Sequence, residues 1–294
     1  MQWFKYDKIR GEEETFKHKT YKQSFDSGYL KPVFEISTQC TARCPQCHRT
    51  NEKEGQFCSK EEWLPLVYWN LKKWKNALGG NTIPALQHIY VCGTYGDANT
   101  CKDLPKMIEY IHEECRKNKV WAKRVIVDTN GSNRSPEWWA KLGELNKKSL
   151  EYSGKPGLEL VFAIDGITQS MHSKYRRGTN LDKILKNMKA YIDAGGFALT
   201  NTIVFKHNQD YLKDIMNMTK EHGASFHIFH ESDRVEMFDN NGVYTFYDEE
   251  NSKETLEMCD SNVVLKQLED EIERVKIVAP NRVVYYSANG QNKL

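Results

Sequence analysis

Six short apolar, β-prone runs recur along the chain, separated by segments whose apolar residues fall at helical spacing, and this alternation constrains the fold most. The runs are residues 33–38, 87–92, 124–128, 158–164, 198–205 and 225–230. Between them, helices are predicted at 60–77 (Trp63, Val67, Leu71, Trp74), at 104–116 (Leu104, Met107, Ile108, Ile111) and at 211–222 (Leu212, Ile215, Met216, then Gly223). The clearest helix carries Leu181, Ile184, Leu185, Met188, Tyr191 and Ile192, opened by a capping-box pattern from Thr179 to Asp182 and closed by Gly195 and Gly196. Strands that alternate with helices pair in parallel through right-handed crossovers. After Ser232 the rhythm breaks. Residues 233–252, rich in Asp, Asn, Gly and aromatics, predict an irregular loop or hairpin, followed by a helix near 261–275 and a strand pair at 275–279 and 282–287 split by Pro280 and Asn281.

A chain of 294 residues suits one α/β barrel with extensions, and 39% hydrophobic residues supply a sizeable core. With 42 basic and 40 acidic residues the formal net charge is +2, which excludes the global field of a dedicated polyanion binder. Aromatics and charges interleave over residues 1–32 without a period, and Glu12, Glu13 and Glu14 argue against a nucleic-acid arm there. No run of eighteen apolar residues occurs and the first residues are polar, so a membrane span is not expected and the expected location is the cytoplasm. Of eight cysteines, three are clustered and five scattered, a pattern that reads as a metal site plus buried thiols, with no structural disulfide expected.

The cluster is Cys40, Cys44 and Cys47, on a loop directly after the first predicted strand. Thiolates are soft ligands that suit zinc, copper(I) and iron–sulfur clusters. A structural zinc wants four ligands, with His48 and Cys58 as candidates for the fourth. A cubane on three thiolates instead leaves one iron open to a substrate. The C-x3-C-x2-C order without a second knuckle favours the open cluster.

At these residues the chain resembles the radical S-adenosylmethionine (radical SAM) enzymes, whose signature is a three-cysteine loop after the first strand of a partial (β/α)6 barrel. The resemblance implies an α/β, TIM-type partial barrel over residues 33–232, an N-terminal extension over 1–32 and a C-terminal extension over 233–294 that closes the barrel or forms part of the substrate cleft. It implies that Cys40, Cys44 and Cys47 hold a 4Fe–4S cluster whose unique iron is chelated by S-adenosyl-L-methionine. Gln46 departs from the aromatic residue often found before the third cysteine.

The later motifs follow the strands in the family's order. Gly93-Thr94-Tyr95-Gly96-Asp97 is similar to the Gly-Gly-Glu-Pro turn, with Gly96 and Asp97 matching and Tyr95 and Ala98 departing. By resemblance, Gly96 lets the backbone approach the methionine part of the cofactor and Asp97 accepts from its ammonium. Asp128-Thr129-Asn130-Gly131-Ser132 is similar to the Thr-Asn-Gly-x turn, and Ser132 could contact the cofactor. Asp165 and Gly166, then His172 through Arg176, Arg177 and Gly178, look like the Ser-x-Asp-Gly…His-Asp-x-x-Arg-Gly region of members that modify peptides and proteins. There Asp165 would lie by the ribose or substrate, and Arg176 would pair with the cofactor carboxylate through its planar fork. Asn201 and Asn208 on and after the fifth strand match a position that reaches ribose or adenine, with Asn201 the candidate. His227 and His230 could face the substrate. No residue is assigned to the hydrogen abstraction itself.

The implied activity is reductive cleavage of S-adenosylmethionine to a 5'-deoxyadenosyl radical that abstracts hydrogen from a substrate. The implied partners are a flavodoxin or ferredoxin-type electron donor and a peptide or protein side chain as substrate. A nucleotide or other small metabolite remains the alternative, because only Cys259 follows residue 233 and no auxiliary cluster can be built there. The competing class is a non-catalytic protein with structural zinc.

Overall fold

The computed structural model describes residues 31–47, 68–79, 82–91, 93, 95–248, 250–278, 285–286 and 292–293. Six parallel strands form its centre: β1 (Val33–Phe34), β2 (His88–Val91), β3 (Arg124–Thr129), β4 (Leu158–Ala163), β5 (Phe197–Val204) and β6 (Phe226–Glu231), paired in sequence order. Helices return the chain between them: α1 (Leu71–Leu78), α2 (Leu104–Lys117), α3 (Pro136–Ser153), the short α4 (Gln169–Ser173), α5 (Leu181–Asp193) and α6 (Leu212–Glu221). The sheet does not close, and the architecture is the expected α/β partial TIM-type barrel. Beyond it lie an antiparallel hairpin of β7 (Val243–Tyr247) and β8 (Lys253–Glu257), helix α7 (Ser261–Val278), and β9 (Tyr285–Tyr286) and β10 (Asn292–Lys293), which extend the sheet from β6.

Alternation along each strand separates two faces. Ile89, Val91, Val125, Val127, Leu158, Leu160, Phe162 and Ala198 enter the large core shared with the helices. The opposite face carries Ile126, Val161 and Leu199, with Tyr90, Phe197, Phe226 and Ile228 packed against them, and forms the inside of the barrel. One step further along the same face come Asp128, Ala163, Asn201 and His230. The barrel is therefore apolar at mid-height and polar at the carboxyl ends of its strands, where barrels of this type place their sites.

Several expectations need correction. The first strand is confined to Val33–Phe34, although Ser37 still makes an isolated bridge to Tyr68. The predicted helix at 60–77 is described only over Leu71–Leu78, and Trp63 and Val67 lie outside the described residues. The N-cap of α5 is Asn180, whose side chain accepts from the Lys183 N–H, rather than Thr179. The strand expected at 275–279 is the end of α7, because the register set by Val264, Leu268 and Ile272 carries the helix on to Val278. That tertiary packing overrides the β-propensity of Val275, Ile277 and Val278.

Helix α3 was not anticipated, for a physical reason. Its buried face combines Trp139 and Leu142 with small and polar residues that interrupt the apolar spacing: Asn146 donates to the Gly195 carbonyl (2.9 Å) and accepts from the Leu158 N–H (2.9 Å). A Cβ on its Gly143 would stand 2.3 Å from the Tyr191 carbonyl oxygen of α5.

Phe162 anchors the core beneath the site. Its ring lies 5.2 Å from Trp139 and 6.4 Å from Tyr191, and a Cβ on Gly131, whose φ is +67°, would come within 2.7 Å of it. Phe162→Ala is expected to cost about 3–5 kcal/mol of stability, read as a lower urea midpoint with an unchanged slope. A midpoint within error of wild type would show that this layer does not support the barrel.

Candidate active site

The cysteine loop leaves β1 and is held on three sides. Arg43 N–H donates to the Arg177 carbonyl (2.8 Å), the Tyr244 hydroxyl on β7 donates to the Pro45 carbonyl (3.0 Å), and the Ser232 hydroxyl after β6 meets Gln46 Oε1 at 2.8 Å. The Cys47 N–H closes a turn on the Cys44 carbonyl at 3.0 Å. Cys44 and Ala42 are buried in a cluster with Tyr175, Phe205, Tyr244, Phe246 and Leu256, and Cys40 and Cys47 pack against its edge. Burial is the main cause that pushes the Cys44 thiol above its ordinary pKa, and the nearby Arg176 opposes it.

The sulfurs are already hydrogen-bond acceptors. Cys40 Sγ accepts from the Ala42 N–H and from Asn130 Nδ2, each at 3.3 Å, and Cys44 Sγ accepts from Arg176 Nη1 at 3.7 Å. All three thiols are free of disulfides. Among the described residues no three His, Cys, Asp or Glu side chains form a ready-made metal cage. His48 and Cys58, the fourth-ligand candidates, lie outside the described residues. The donor set nonetheless fits a thiophilic centre: three soft ligands on one loop, at the carboxyl rim, with N–H donors aimed at two of them.

The turn after β2 is shaped by Glu35. Its Oε1 accepts from the Tyr95 N–H (2.5 Å) and the Gly96 N–H (2.9 Å), so a carboxylate just beyond β1 gathers the backbone of the neighbouring loop. Gly96 is required there because an added Cβ would stand 1.9 Å from the Ser37 carbonyl oxygen. Asp97 is buried and points into the protein. Its Oδ1 accepts from the Asn99 N–H (3.0 Å) and Thr129 Oγ1 (2.9 Å), and its Oδ2 accepts from the Asn130 N–H (2.6 Å). An ionised carboxylate offers about four lone-pair sites, so one is left for an outside donor.

Asp165 and Arg176 are brought together rather than held apart. Arg176 Nε donates to Asp165 Oδ2 at 2.6 Å, with the Arg side chain 15% and the Asp side chain 0% exposed. Asp165 Oδ1 accepts from the Ile203 N–H (2.8 Å), and its carbonyl accepts from Asn208 Nδ2 (3.1 Å). The Asp165 N–H meets His172 Nδ1 at 3.1 Å, so that nitrogen is the acceptor and Nε2 carries the proton toward Thr179 Oγ1 (2.9 Å). The Thr179 hydroxyl donates onward to the Arg176 carbonyl at 2.6 Å. Burial first, then Arg176, pull His172 down to about 3, so it is neutral.

The remaining motif residues divide between ligand-facing and structural positions. Asn201 is on the inner face, and its Oδ1 is buried without a hydrogen-bond partner among the described residues. Asn208 is internally satisfied, accepting from the Phe205 N–H (2.8 Å) and donating to the Ile203 carbonyl (3.1 Å). Ser132 Oγ accepts from the Asn180 N–H at 2.9 Å and so ties β3's turn to α5. His227 faces the helix layer, between the hydroxyls of Thr200 (2.7 Å) and Thr202 (2.9 Å), whereas His230 is on the inner face and stacks on Tyr286 at 4.8 Å. Sequence reasoning assigned no role to Glu35, and it marked Asp128 and Asn130 only as members of the turn after the third strand. Asp128 sits at the polar rim, and burial, Asp97 and Glu159 push its carboxyl up to about 6 while Arg176 opposes them. The signal for Asp128 was available as the last inward position of β3.

The fold of this arrangement, an open α/β partial barrel, is shared with solved structures. The structure of anSMEcpe with bound AdoMet and the Kp18Cys peptide aligns with a TM-score of 0.58 at 15% identity, covering 87% of this chain and 63% of that one. Streptococcus suis SuiB bound to precursor peptide SuiA aligns with a TM-score of 0.51 at 13% identity, covering 92% of this chain and 52% of that one. The chain thus spans less than two thirds of either protein. No protein-family profile matches the chain, and no curated protein sequence is significantly similar to it. No helix among the described residues is long and apolar enough to cross a membrane.

The buried histidines set a pH dependence of stability. His172 and His227 lie at about 3 and His207 and His230 at about 4, each depressed mainly by burial from 6.5. Their stabilisation is complete above pH 6.5 and is lost as pH falls toward 4, since the unfolded chain takes up protons first. Asp128, raised from 3.8 to about 6, acts in the opposite sense between those values. Burial raises Asp97 and Asp165 in the same direction as Asp128, and it lowers His88 and His112 along with the other histidines. The urea midpoint is therefore expected to drop between pH 7 and pH 5; a midpoint that holds or rises over that interval would contradict the neutral, buried state of these rings.

Proposed function

We propose that the chain is a radical SAM enzyme acting on a peptide or protein side chain, with a 4Fe–4S cluster on Cys40, Cys44 and Cys47. The observation that carries this reading is three cysteine thiols on one loop at the carboxyl rim of a partial barrel, two of them accepting hydrogen bonds from Asn130 and Arg176. When bound, the cluster and S-adenosylmethionine supply one-electron cleavage of a sulfonium to a 5'-deoxyadenosyl radical.

The chain's own residues bind and orient. Gly96 lets the loops after β1 and β2 pack backbone to backbone rather than leaving room for a ligand, and Asp97 keeps one acceptor site for an ammonium. Arg176, with Nε on Asp165 and Nη1 near Cys44, offers the rest of its fork to a carboxylate. In this reading Asp165 acts by aiming Arg176, and Asn201 presents an amide to the nucleoside. Tyr244, Phe246 and Leu256 of the β7–β8 hairpin pack against the cysteine loop, which supports residues 233–294 as one wall of the substrate cleft. The peptide class draws support from the peptide-bound anSMEcpe and SuiB structures. The electron donor in this reading is a flavodoxin or ferredoxin-type protein.

Two measurements test it. After anaerobic reconstitution with iron and sulfide and reduction with dithionite, S-adenosylmethionine should yield 5'-deoxyadenosine, and a Cys40→Ala variant should lose at least tenfold; a colourless protein carrying only zinc overturns the reading. Supplied with the dialysis-retained fraction of a deuterated lysate, the enzyme should form deuterated 5'-deoxyadenosine. Label arising only from the small-metabolite fraction would replace the peptide substrate by a metabolite.

A further inference from the structure

Asn130 occupies a position whose geometry leaves one choice for its side chain. Its Oδ1 meets the Ser132 N–H at 2.9 Å and the Thr41 hydroxyl at 3.3 Å. A backbone N–H can only donate, so that atom must be the oxygen, and the amide's other end, at 3.3 Å from Cys40 Sγ, must be the N–H2 donor. The residue is buried (6% exposed), and its own backbone N–H is fixed on Asp97 Oδ2 at 2.6 Å. The amide is thus locked at both ends onto the loops after β1, β2 and β3 before any ligand arrives. At the neighbouring sulfur, Arg176 Nη1 stands 3.7 Å from Cys44 Sγ, and its guanidinium is held there by the 2.6 Å bond to Asp165.

We infer that Asn130 and Arg176 are positioning residues that raise the reduction potential of the cluster carried by Cys40 and Cys44, by hydrogen-bonding to the ligating sulfurs. This rests on the cluster assignment made above. The sulfurs of an iron–sulfur centre carry more negative charge after reduction than before, so a donor aimed at one stabilises the reduced form more. A neutral amide does this at Cys40. A cation does it at Cys44, with its charge partly offset by Asp165. Neither residue need touch substrate or S-adenosylmethionine to act.

The test is an EPR-monitored redox titration of the full chain, reconstituted with iron and sulfide and free of S-adenosylmethionine, with dithionite as the reductant. Asn130→Asp keeps the oxygen that Ser132 and Thr41 require while deleting the N–H donor, and Asn130→Ala deletes the donor without adding charge. Ser132→Ala serves as control, since it loosens the same turn without removing a contact to sulfur. Both Asn130 variants are expected to bind wild-type amounts of iron and to titrate at more negative potential, with a smaller reduced signal at fixed dithionite. Ser132→Ala should titrate with wild type. Arg176→Lys should shift the same way as the Asn130 variants, because a lysine paired with Asp165 has no fork to spare for Cys44. Simple loosening would admit water and move the potential upward, so the sign separates tuning from damage. If Asn130→Ala assembles poorly, the decision is read from Asn130→Asp. Wild-type potential in the Asn130 variants overturns the inference with the cluster assignment intact; a wild-type protein that takes up no iron overturns both.

Discussion

The contact between Asp165 and Arg176 holds the site in register. Asp165 ends the stretch that follows β4, accepts from the backbone of β5 through Ile203, and binds Arg176, which reaches across to Cys44. The connection between β4 and α5, strand β5 and the cysteine loop therefore meet at one ion pair. Such a pair adds little stability relative to an apolar substitute, yet removing one partner leaves an uncompensated buried charge at about 3–5 kcal/mol. The supporting contacts from Asn208 and His172 follow from that constraint. With the two charges out of water, the surrounding backbone N–H and C=O groups also have to find partners within the protein. His172 can serve only as the neutral ring, since Nδ1 must accept from the Asp165 N–H.

A second network mirrors the first on the opposite side of the cysteine loop. Glu35 gathers the Tyr95 and Gly96 amides, and Asp97 gathers Asn99, Thr129 and Asn130. Both carboxylates are spent largely on organising neighbouring loops, and Asp97 retains a single acceptor site. Asp128 and Asn201 differ in kind. Asp128 stands on the inner rim with its pKa raised, and Asn201 keeps a buried Oδ1 that has no hydrogen-bond partner among the described residues. The rim thus combines a rigid, internally satisfied outer ring with a less satisfied inner one, as a site needs when ligand atoms must complete its hydrogen bonding.

Much of this was legible in the chain alone, because period-2 and period-3.6 patterns report burial directly. The alternation that gave six strands and the helices at 104–116 and 181–192 arises from apolar faces against one core. Helix α3 was illegible because Gly143, Asn146 and Ser149 interrupt the apolar spacing of its buried face beside Trp139 and Leu142, and their roles depend on partners elsewhere in the chain. The end of α7 was misread for the related reason that Val275, Ile277 and Val278 favour strands locally while the helix they belong to is stabilised by distant contacts. The cysteine triplet and the Gly96-Asp97, Asp165-Gly166 and Arg176 motifs were visible as residues of the right chemistry after the right strands.

Pairing among those motif residues was not visible. Nothing local places Arg176 on Asp165 rather than on a ligand, points Asp97 inward, turns His227 to the helices and His230 to the barrel, or sets Asn130 against Cys40. Sequence by itself determined the class of fold, the loop that carries the thiols and the strand ends on which polar groups gather, because each follows from local periodicity and residue chemistry. Only the tertiary structure decided which of those groups neutralise one another and which are left for a ligand, because hydrogen bonds between residues 32 and 132 positions apart depend on how the sheet twists and the loops meet.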